Sequence, residues 1–270
     1  MITGASSGFG AAAARAFGAE GSKLLLGARR VDRLEEVAAA ARQAGAPAAH
    51  FHALDVSKTS SVEAFVAWAR ETTNDHQSPI TIRQPPITRP LSSSARLDVL
   101  INNAGGAQGL DTVAEGKDED WETMLQANVL GILRMTRAAL PLMLDNPGSS
   151  LINIGSLAGH VAYEGGAAYC AAKAGELQIT RALRLELNGT GIRVTTVDPG
   201  LAETEFSVVR FKGDQAAADK VYEGLDPVTP DEVADCVMFA LTRPLHVNLD
   251  EIVIKAIAQS SGSHVVRRST

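Results

Sequence analysis

Two hydrophobic patterns alternate along most of the chain. Short, nearly continuous apolar runs, such as residues 24–28 (LLLGA), are typical of strands that are buried on both faces of a parallel sheet. Between these runs lie longer stretches with apolar residues at helical spacing, such as residues 32–45 (DRLEEVAAAARQAG). The alternation predicts one α/β domain in which helices cover a parallel sheet.

The same patterns predict some boundaries and some interruptions. One long helix is expected from about Asp118 to Met143. Residues 74–96 contain four of the eleven prolines and no usable periodicity, so we expect a disordered insertion there. Residues 259–270 are expected to form a loose tail. Only Met1 and Ile2 precede the first glycine-rich motif, so the first strand is expected to be largely truncated.

Composition narrows the class of protein. With 270 residues and a net charge of −6, the chain can bury one large core and lacks the basic character of a nucleic-acid-binding domain. It has two cysteines, so we expect a reducing compartment, no disulfide framework and no metal site. No apolar run reaches membrane-spanning length, and we expect no leader segment. The expectation is a cytoplasmic protein that binds neither nucleic acid nor membrane.

A glycine-rich loop near the start of the chain indicates a phosphate site. Glycines 4, 8 and 10 precede an alanine-rich helix in residues 3–21 (TGASSGFGAAAARAFGAEG). Such glycines permit a tight turn, and the free N–H groups at the N-terminus of a helix bind anions. Glycine- and alanine-rich turns also occur without a ligand, so the loop alone leaves a plain turn open.

The end of the next predicted strand favours NADP over NAD. NAD sites usually carry an acidic residue there, which holds the ribose hydroxyls, but this chain has Arg29 and Arg30. Guanidinium groups suit a 2′-phosphate. The alternative is a pair of solvated arginines at the start of a helix.

Tyr169 and Lys173 form the candidate proton-transfer pair. A tyrosine has a pKa near 10 in water and is a poor base unless a positive charge lies nearby. Lys173 follows Tyr169 by four residues and therefore shares its helix face, whereas Tyr163 has Ala167 at that spacing. Such pairs also arise by chance on solvated helices, so the spacing alone does not settle the function.

Two polar residues complete the candidate chemistry. Ser156 follows a predicted strand and so belongs at the carboxyl edge of the sheet, where its hydroxyl could hold a substrate oxygen or merely form a turn. Asn128 lies among apolar residues of the long helix, where it could order a water near the lysine or simply face the surface.

In this order the motifs resemble those of the short-chain dehydrogenase/reductase family, and the match covers nearly the whole chain. The motifs are TGASSGFG (3–10), NNAG (102–105), NVLG (128–131), IGS (154–156), YCAAK (169–173) and DPGLAET (198–204). The resemblance implies a Rossmann-type, doubly wound seven-stranded parallel sheet and a catalytic tetrad of Asn128, Ser156, Tyr169 and Lys173. It also implies that the whole chain is one dinucleotide-binding and catalytic domain.

The resemblance further implies which residues contact the cofactor. With the arginines and the tetrad pair included, the predicted set is Gly4, Ser6, Ser7, Gly8, Phe9, Gly10, Arg29, Arg30, Asp55, Val56, Asn102, Asn103, Ala104, Gly105, Tyr169, Lys173, Pro199, Gly200, Ala202 and Thr204. In the family chemistry, Ser156 and Tyr169 hold the substrate hydroxyl, Tyr169 takes its proton, and hydride passes to the nicotinamide.

A narrower resemblance, in residues 199–214 and 221–241, is to NADP-dependent 3-hydroxy acid dehydrogenases. It implies oxidation of small hydroxy acids such as serine, allo-threonine or 3-hydroxypropionate, and a homotetramer. Arg210 is a hypothetical carboxylate ligand, with a surface arginine equally open, and Tyr163 is placed beside the substrate. The alternatives are a reductase for other carbonyls and a catalytically impaired NADP-binding protein from a truncated gene model.

Overall fold

The computed structural model describes residues 1–74, 95–144 and 146–268. Its strands, all parallel to their neighbours, are β1 (Ile2–Thr3), β2 (Leu24–Ala28), β3 (Ala49–Ala53), β4 (Val99–Asn102), β5 (Ser150–Ile154), β6 (Arg193–Pro199) and β7 (Glu251–Ile254). They form one sheet in the order β3-β2-β1-β4-β5-β6-β7. The strand order reverses between β1 and β4, and ligands of such sheets bind at the carboxyl ends of the strands beside this point.

Helices cover both faces of the sheet. They are α1 (Gly8–Ala19), α2 (Val31–Ala44), α3 (Thr59–Asn74), α4 (Asp118–Leu125), α5 (Gly131–Ala139), α6 (Ala167–Glu186), α7 (Phe206–Arg210), α8 (Gln215–Tyr222) and α9 (Pro230–Leu241). One core lies between the sheet and α1, α2 and α9, and the other between the sheet and α3, α5 and α6. Alternate strand residues supply the two cores, so the predicted Rossmann-type architecture is confirmed.

The first strand has only two residues, yet it lies at the centre of the sheet. Ile2 is 2% exposed and pairs with Leu26 of β2 and Ile101 of β4. Thr3 Oγ1 accepts hydrogen bonds from the backbone N–H groups of Asn103 and Ala104. The expected short first strand is therefore present, and it carries the chain directly into the glycine-rich loop.

The helix expected from Asp118 to Met143 is not one α-helix. Residues 126–130 form a π-helical turn between α4 and α5, and residues 140–142 form a 3₁₀ turn. The Asn128 side chain donates to the backbone oxygens of Met124 and Gly106. The Asn128 amide, which lies in the π-helical turn, thus bonds both to the preceding helical turn and to a loop outside the helix. The helical residue pattern continues through this turn, which is why periodicity did not reveal it.

Two other expectations concern the ends of ordered segments. The predicted insertion at residues 74–96 falls almost wholly outside the described residues. The predicted tail at 259–270 is not loose over residues 259–268: Gln259 is 4% exposed and accepts from Leu201 N, while Arg268 N donates to Gly224 O. None of the helices in the described parts of the chain combines the length and the apolar character of a transmembrane span.

Candidate active site

The glycine-rich loop has the geometry of an anion cradle. Gly4 and Gly8 have φ values of 62° and 52°, a region that favours glycine. A Cβ on Gly10 would lie 2.5 Å from the carbonyl oxygen of Gly4, so that position has no room for a side chain. Ser7 is the N-cap residue of α1, but its side chain makes no capping hydrogen bond. The Ser7 hydroxyl and the first N–H groups of α1 can therefore bind a phosphate.

Arg30 brings a cation to this loop. Its guanidinium donates to Ser7 Oγ at 2.9 Å, to Ser6 Oγ at 3.4 Å and to Glu205 Oε2 at 2.7 Å. The bond from Arg30 holds the pKa of Glu205 below its usual range. An anion thus already lies where a cofactor phosphate is expected, and the donor set fits a 2′-phosphate. Arg29 is exposed beside it.

The loop after β4 closes one side of the crevice. Asn103 Nδ2 donates to the backbone oxygens of Thr3 and Gly4 and so fixes the glycine-rich loop. Asn102 differs from the other predicted cofactor residues here, because its side chain is turned into the core and donates to Thr136 and Asn153. That leaves its backbone for a ligand.

Two predicted cofactor residues follow β3. Asp55 accepts hydrogen bonds from the Ser57 backbone and hydroxyl. Burial would raise the pKa of Asp55, but these bonds, together with Lys58 and Arg29, lower it. Val56 is buried and lies against Gly131, since a Cβ added to Gly131 would be only 2.8 Å from the Val56 side chain. Val56 therefore packs against the start of α5.

The segment after β6 passes over the glycine-rich loop. Gly200 donates its N–H to Ile254 O, and Ala202 bridges to Val228, which positions residues 199–204. A Cβ on Gly8 would lie 3.5 Å from the Thr204 side chain. Pro199, at the end of β6, thus leads directly to a segment that covers the loop.

Tyr169 and Lys173 lie on α6, and both are buried. Lys173 Nζ donates to Ile154 O at 3.0 Å and to Glu176 Oε2 at 2.7 Å. Burial alone would lower the pKa of the lysine, but Glu176, with smaller contributions from Tyr169 and Asp198, raises the pKa above its ordinary value. Lys173 is therefore a protonated ammonium group one helical turn from Tyr169.

Asn128 and Lys173 converge on the same glycine. A Cβ on Gly105 would lie 2.4 Å from Asn128 Oδ1 and 4.0 Å from Lys173 Nζ. Asn128 is 1% exposed, and its amide is held by the backbone of Gly106 and Met124. The π-helical turn therefore directs Asn128 towards the lysine rather than towards the surface.

Ser156 lies at the carboxyl end of β5, two residues after the carbonyl that accepts from Lys173. Its hydroxyl accepts from Ala158 N at 3.1 Å and caps the 3₁₀ turn over residues 157–159. That turn packs on α6, because a Cβ on Gly159 would lie 2.8 Å from Lys173 O. The structure thus places the four predicted tetrad residues around one edge of the sheet.

Arg210, a predicted substrate residue, lines a cleft together with Tyr169. The guanidinium carbon of Arg210 lies 5.6 Å from the ring centroid of Tyr169 and 5.4 Å from that of Tyr163. Arg210 Nε donates to Gly109 O, whereas its buried Nη2 has no acceptor within residues 1–74, 95–144 and 146–268. Burial, partly offset by Arg210, raises the pKa of Tyr163 to about 12.

The chain matches a known protein family over most of its length. The model of the family described as short chain dehydrogenase matches residues 1–76 and 88–215. The chain belongs to the short-chain dehydrogenases. The resemblance inferred from the sequence motifs is thereby confirmed.

Individual relatives match this chain over almost its full length. An NADP-dependent 3-hydroxy acid dehydrogenase of Schizosaccharomyces pombe is 39% identical over 99% of this chain and 96% of its own length. Sulfoacetaldehyde reductase 2 of Chromohalobacter salexigens is 37% identical over 99% and 98%. A solved closed form of serine dehydrogenase complexed with NADP⁺ is 36% identical, with a TM-score of 0.83 over 99% and 98%.

Several polar residues of this short-chain dehydrogenase were not singled out from its sequence. Glu176 pairs with Lys173, Glu205 pairs with Arg30, and Asp198 accepts from His160 at 2.8 Å. Glu176 had a usable signal, because it continues the buried face of α6 that carries Tyr169 and Lys173. Glu205 and the Asp198–His160 pair depend on contacts between residues far apart in the chain, which spacing does not reveal.

Proposed function

We propose that this protein is an NADP-dependent oxidoreductase that interconverts small 3-hydroxy acids and their 3-oxo forms by hydride transfer. Serine, allo-threonine and 3-hydroxypropionate are the substrate type. The support is the shared family, the names of full-length relatives and the placement of four polar tetrad side chains at one edge of the sheet.

The residues of the crevice fit an NADP molecule. Its pyrophosphate would lie on the loop of residues 4–10, its 2′-phosphate would meet Ser6, Ser7 and Arg30, and its nicotinamide would meet the 199–204 segment. NADP, when bound, supplies the nicotinamide carbon that accepts or returns a hydride. The paired Arg30 and Glu205 support this assignment, since the guanidinium already holds a carboxylate.

The chain's own groups would handle the proton. Ser156 and Tyr169 would hold the substrate hydroxyl, and Tyr169 would take its proton during oxidation and return it during reduction. Lys173, an ammonium ion held in place by Ile154 O and Glu176, would bring its positive charge to Tyr169 during the proton transfer. Asn128 would hold a water that carries the proton onward to solvent.

One observation carries the choice of an acid as substrate. Arg210 offers a buried Nη2 without an acceptor in the described parts of the chain, directly beside the Tyr169 ring. A buried guanidinium donor needs an anionic or polar partner. A carboxylate attached one carbon from the reacting hydroxyl carbon would supply that partner and orient the alcohol towards Tyr169.

Arg210→Ala tests this role. We expect the KM for serine and 3-hydroxypropionate to rise about 10- to 100-fold, because charge-assisted hydrogen bonds are lost. Activity on a neutral short alcohol should stay within about twofold. The control is Arg243→Ala, which removes an arginine that stacks on Phe239. Equal losses on acids and neutral alcohols would refute the carboxylate role.

A sulfonate is the specific second candidate, because one full-length relative is named a sulfoacetaldehyde reductase. The same Arg210 donor would bind either anion, so NADPH consumption with 3-oxo acids, sulfoacetaldehyde and neutral ketones decides among them. If none is turned over, a thermal-shift titration with NADPH tests the remaining alternative, a cofactor-binding protein with impaired catalysis.

We also propose a cytoplasmic homotetramer. Exposed leucines on the α4–α5 segment and α6, namely Leu125, Leu130, Leu133 and Leu185, offer apolar surface to a second copy. The two free cysteines suit a reducing compartment. Sedimentation of the purified protein and cell fractionation test the two statements separately.

A further inference from the structure

A buried carboxylate lies beside the lysine of the tetrad. Glu176 follows Lys173 by three residues on α6, and its Oε2 accepts from Lys173 Nζ at 2.7 Å. The side chains of Lys173 and Glu176 are 9% and 1% exposed. An ion pair this deeply buried is poorly screened by solvent, so each partner strongly affects the protonation of the other.

Lys173 depends on this partner for its charge. Burial disfavours an ammonium ion, and the opposing influences on Lys173 are led by the Glu176 carboxylate. Its other observed hydrogen bond, to Ile154 O, is to a neutral oxygen. Together these two bonds use two of the three ammonium protons, and the third remains for Tyr169 or a bound cofactor.

The surroundings of Glu176 contain few other charges. Asp198 on β6 acts on both members of the pair and is itself held by Thr196 Oγ1 and His160 Nε2. Glu176 Oε1 has no hydrogen-bond partner among the described residues. Lys173 is therefore the one cation in direct contact with Glu176 in that part of the chain.

We propose that Glu176 is a positioning residue, the counter-ion that keeps Lys173 protonated and holds its ammonium in place beside Tyr169. This inference rests on the roles proposed above for Tyr169 and Lys173, but not on the identity of the substrate. Without the carboxylate, Lys173 would lose its proton at a lower pH and would no longer present a positive charge to Tyr169.

The test is the pH profile of NADP⁺-dependent oxidation by wild-type enzyme and Glu176→Gln. The amide keeps an oxygen that can accept from Lys173 but carries no charge. We expect the alkaline fall of kcat/KM to move down by about one pH unit or more, with little change near neutral pH. A purely structural role would scale the whole profile without moving it.

The matched control is Glu251→Gln. It removes the partner of Arg181, a partly exposed ion pair that involves the same helix, and should leave the profile in place. Glu176→Asp is the second variant, because it keeps a charge but shortens the reach to Nζ. Glu176→Asp should move the alkaline fall in the same direction as Glu176→Gln, but by a smaller amount. It replaces Glu176→Gln as the test if the glutamine variant does not fold.

Two outcomes overturn the counter-ion role. One is a folded Glu176→Gln variant whose alkaline fall of kcat/KM is unchanged. The other, if Glu176→Gln does not fold, is an unchanged alkaline fall in Glu176→Asp. Tyr169→Phe and Lys173→Ala are measured alongside. If both keep activity, the proposed tetrad has failed; if both lose it while Glu176→Gln keeps the wild-type profile, only the counter-ion role has failed. Any alcohol that the wild type oxidises can be used.

Discussion

At the scale of single residues, the two tyrosines beneath Arg210 differ in their neighbours. Both ring centroids lie within 5.6 Å of the guanidinium carbon, but Tyr169 has a buried ammonium one helical turn away. The pKa of Tyr163 is raised by burial to about 12, so that hydroxyl stays neutral and suits hydrogen bonding rather than proton exchange. The division of roles follows from the spacing along α6.

Tyr169→Phe and Tyr163→Phe separate these roles. We expect Tyr169→Phe to reduce kcat by about 10²- to 10⁴-fold, because the proton has no acceptor, while NADPH binding measured by fluorescence is retained. Tyr163→Phe should keep kcat within about threefold. A Tyr163→Phe loss as large as that of Tyr169→Phe would contradict the assignment.

Sequence spacing predicted that Tyr169 and Lys173 share one helix face, because a four-residue separation fixes that geometry, and both are buried on α6. The glycine pattern likewise predicted a tight turn, because the φ values of Gly4 and Gly8 are a local property. Spacing did not reveal the partner of Arg30, because Glu205 reaches it across 175 residues. Glu176 lay within reach of the same spacing argument, but a glutamate on a helix is ordinarily solvated.

At the scale of elements, the segment that leads into α7 is fastened to the glycine loop by the Arg30–Glu205 pair. Each side chain of the pair is 45% exposed. The Glu205 carboxylate binds the same Arg30 guanidinium that a cofactor 2′-phosphate would bind, so Glu205 and the cofactor would compete for Arg30.

Glu205→Gln should therefore bind NADPH more tightly, by about three- to fivefold, since an exposed ion pair of this kind is weak. Affinity for NADH, which lacks the 2′-phosphate, should not change. Fluorescence titration of both cofactors measures the effect, with the exposed neighbour Glu203→Gln as the control. Weaker NADPH binding would mean that Glu205 does not compete with the phosphate.

β1 is the second element whose role can be measured. Its two residues are hydrogen-bonded into the sheet between β2 and β4, and Ile2 is almost fully buried. Ile2→Ala should lower the free energy of unfolding by about 2–5 kcal/mol, because it leaves a cavity at the centre of the sheet. Urea unfolding provides the measurement. Ile257→Ala, at a fully exposed position, should change it by less than about 0.5 kcal/mol.

The helix pattern over residues 118–143 shows why some elements escape prediction. Apolar residues keep their helical spacing through the π-helical turn, so the period gives no warning of the extra residue. The turn coincides with a tertiary contact, the pair of hydrogen bonds between Asn128 and Gly106. The tail at 259–268 escaped prediction for a similar reason, because Gln259 bonds to a segment some sixty positions earlier in the sequence.

At the scale of the whole molecule, the parallel sheet places every tetrad side chain near the carboxyl ends of β4, β5 and β6. Asn128 reaches this edge through the loop after β4, and Ser156 follows β5 directly. A consequence is that charges from distant parts of the chain become buried together, as Lys173, Glu176 and Asp198 are. Global stability must then depend on the protonation of this cluster.

Burial, partly offset by Lys173, raises the pKa of Glu176 to about 7 from an ordinary value of 4.5. A carboxyl whose pKa is raised by folding contributes stability that is present below 4.5 and is lost as the pH rises through about 7. Glu176→Gln removes this dependence, so the variant should gain free energy of unfolding relative to wild type between about pH 5 and about pH 8. Urea unfolding at both pH values measures it. The control is Glu251→Gln. Folding lowers the pKa of Glu251, so the difference in unfolding free energy between this variant and wild type should not change over that pH range. The same constant difference for Glu176→Gln would show that folding leaves the Glu176 carboxyl unperturbed.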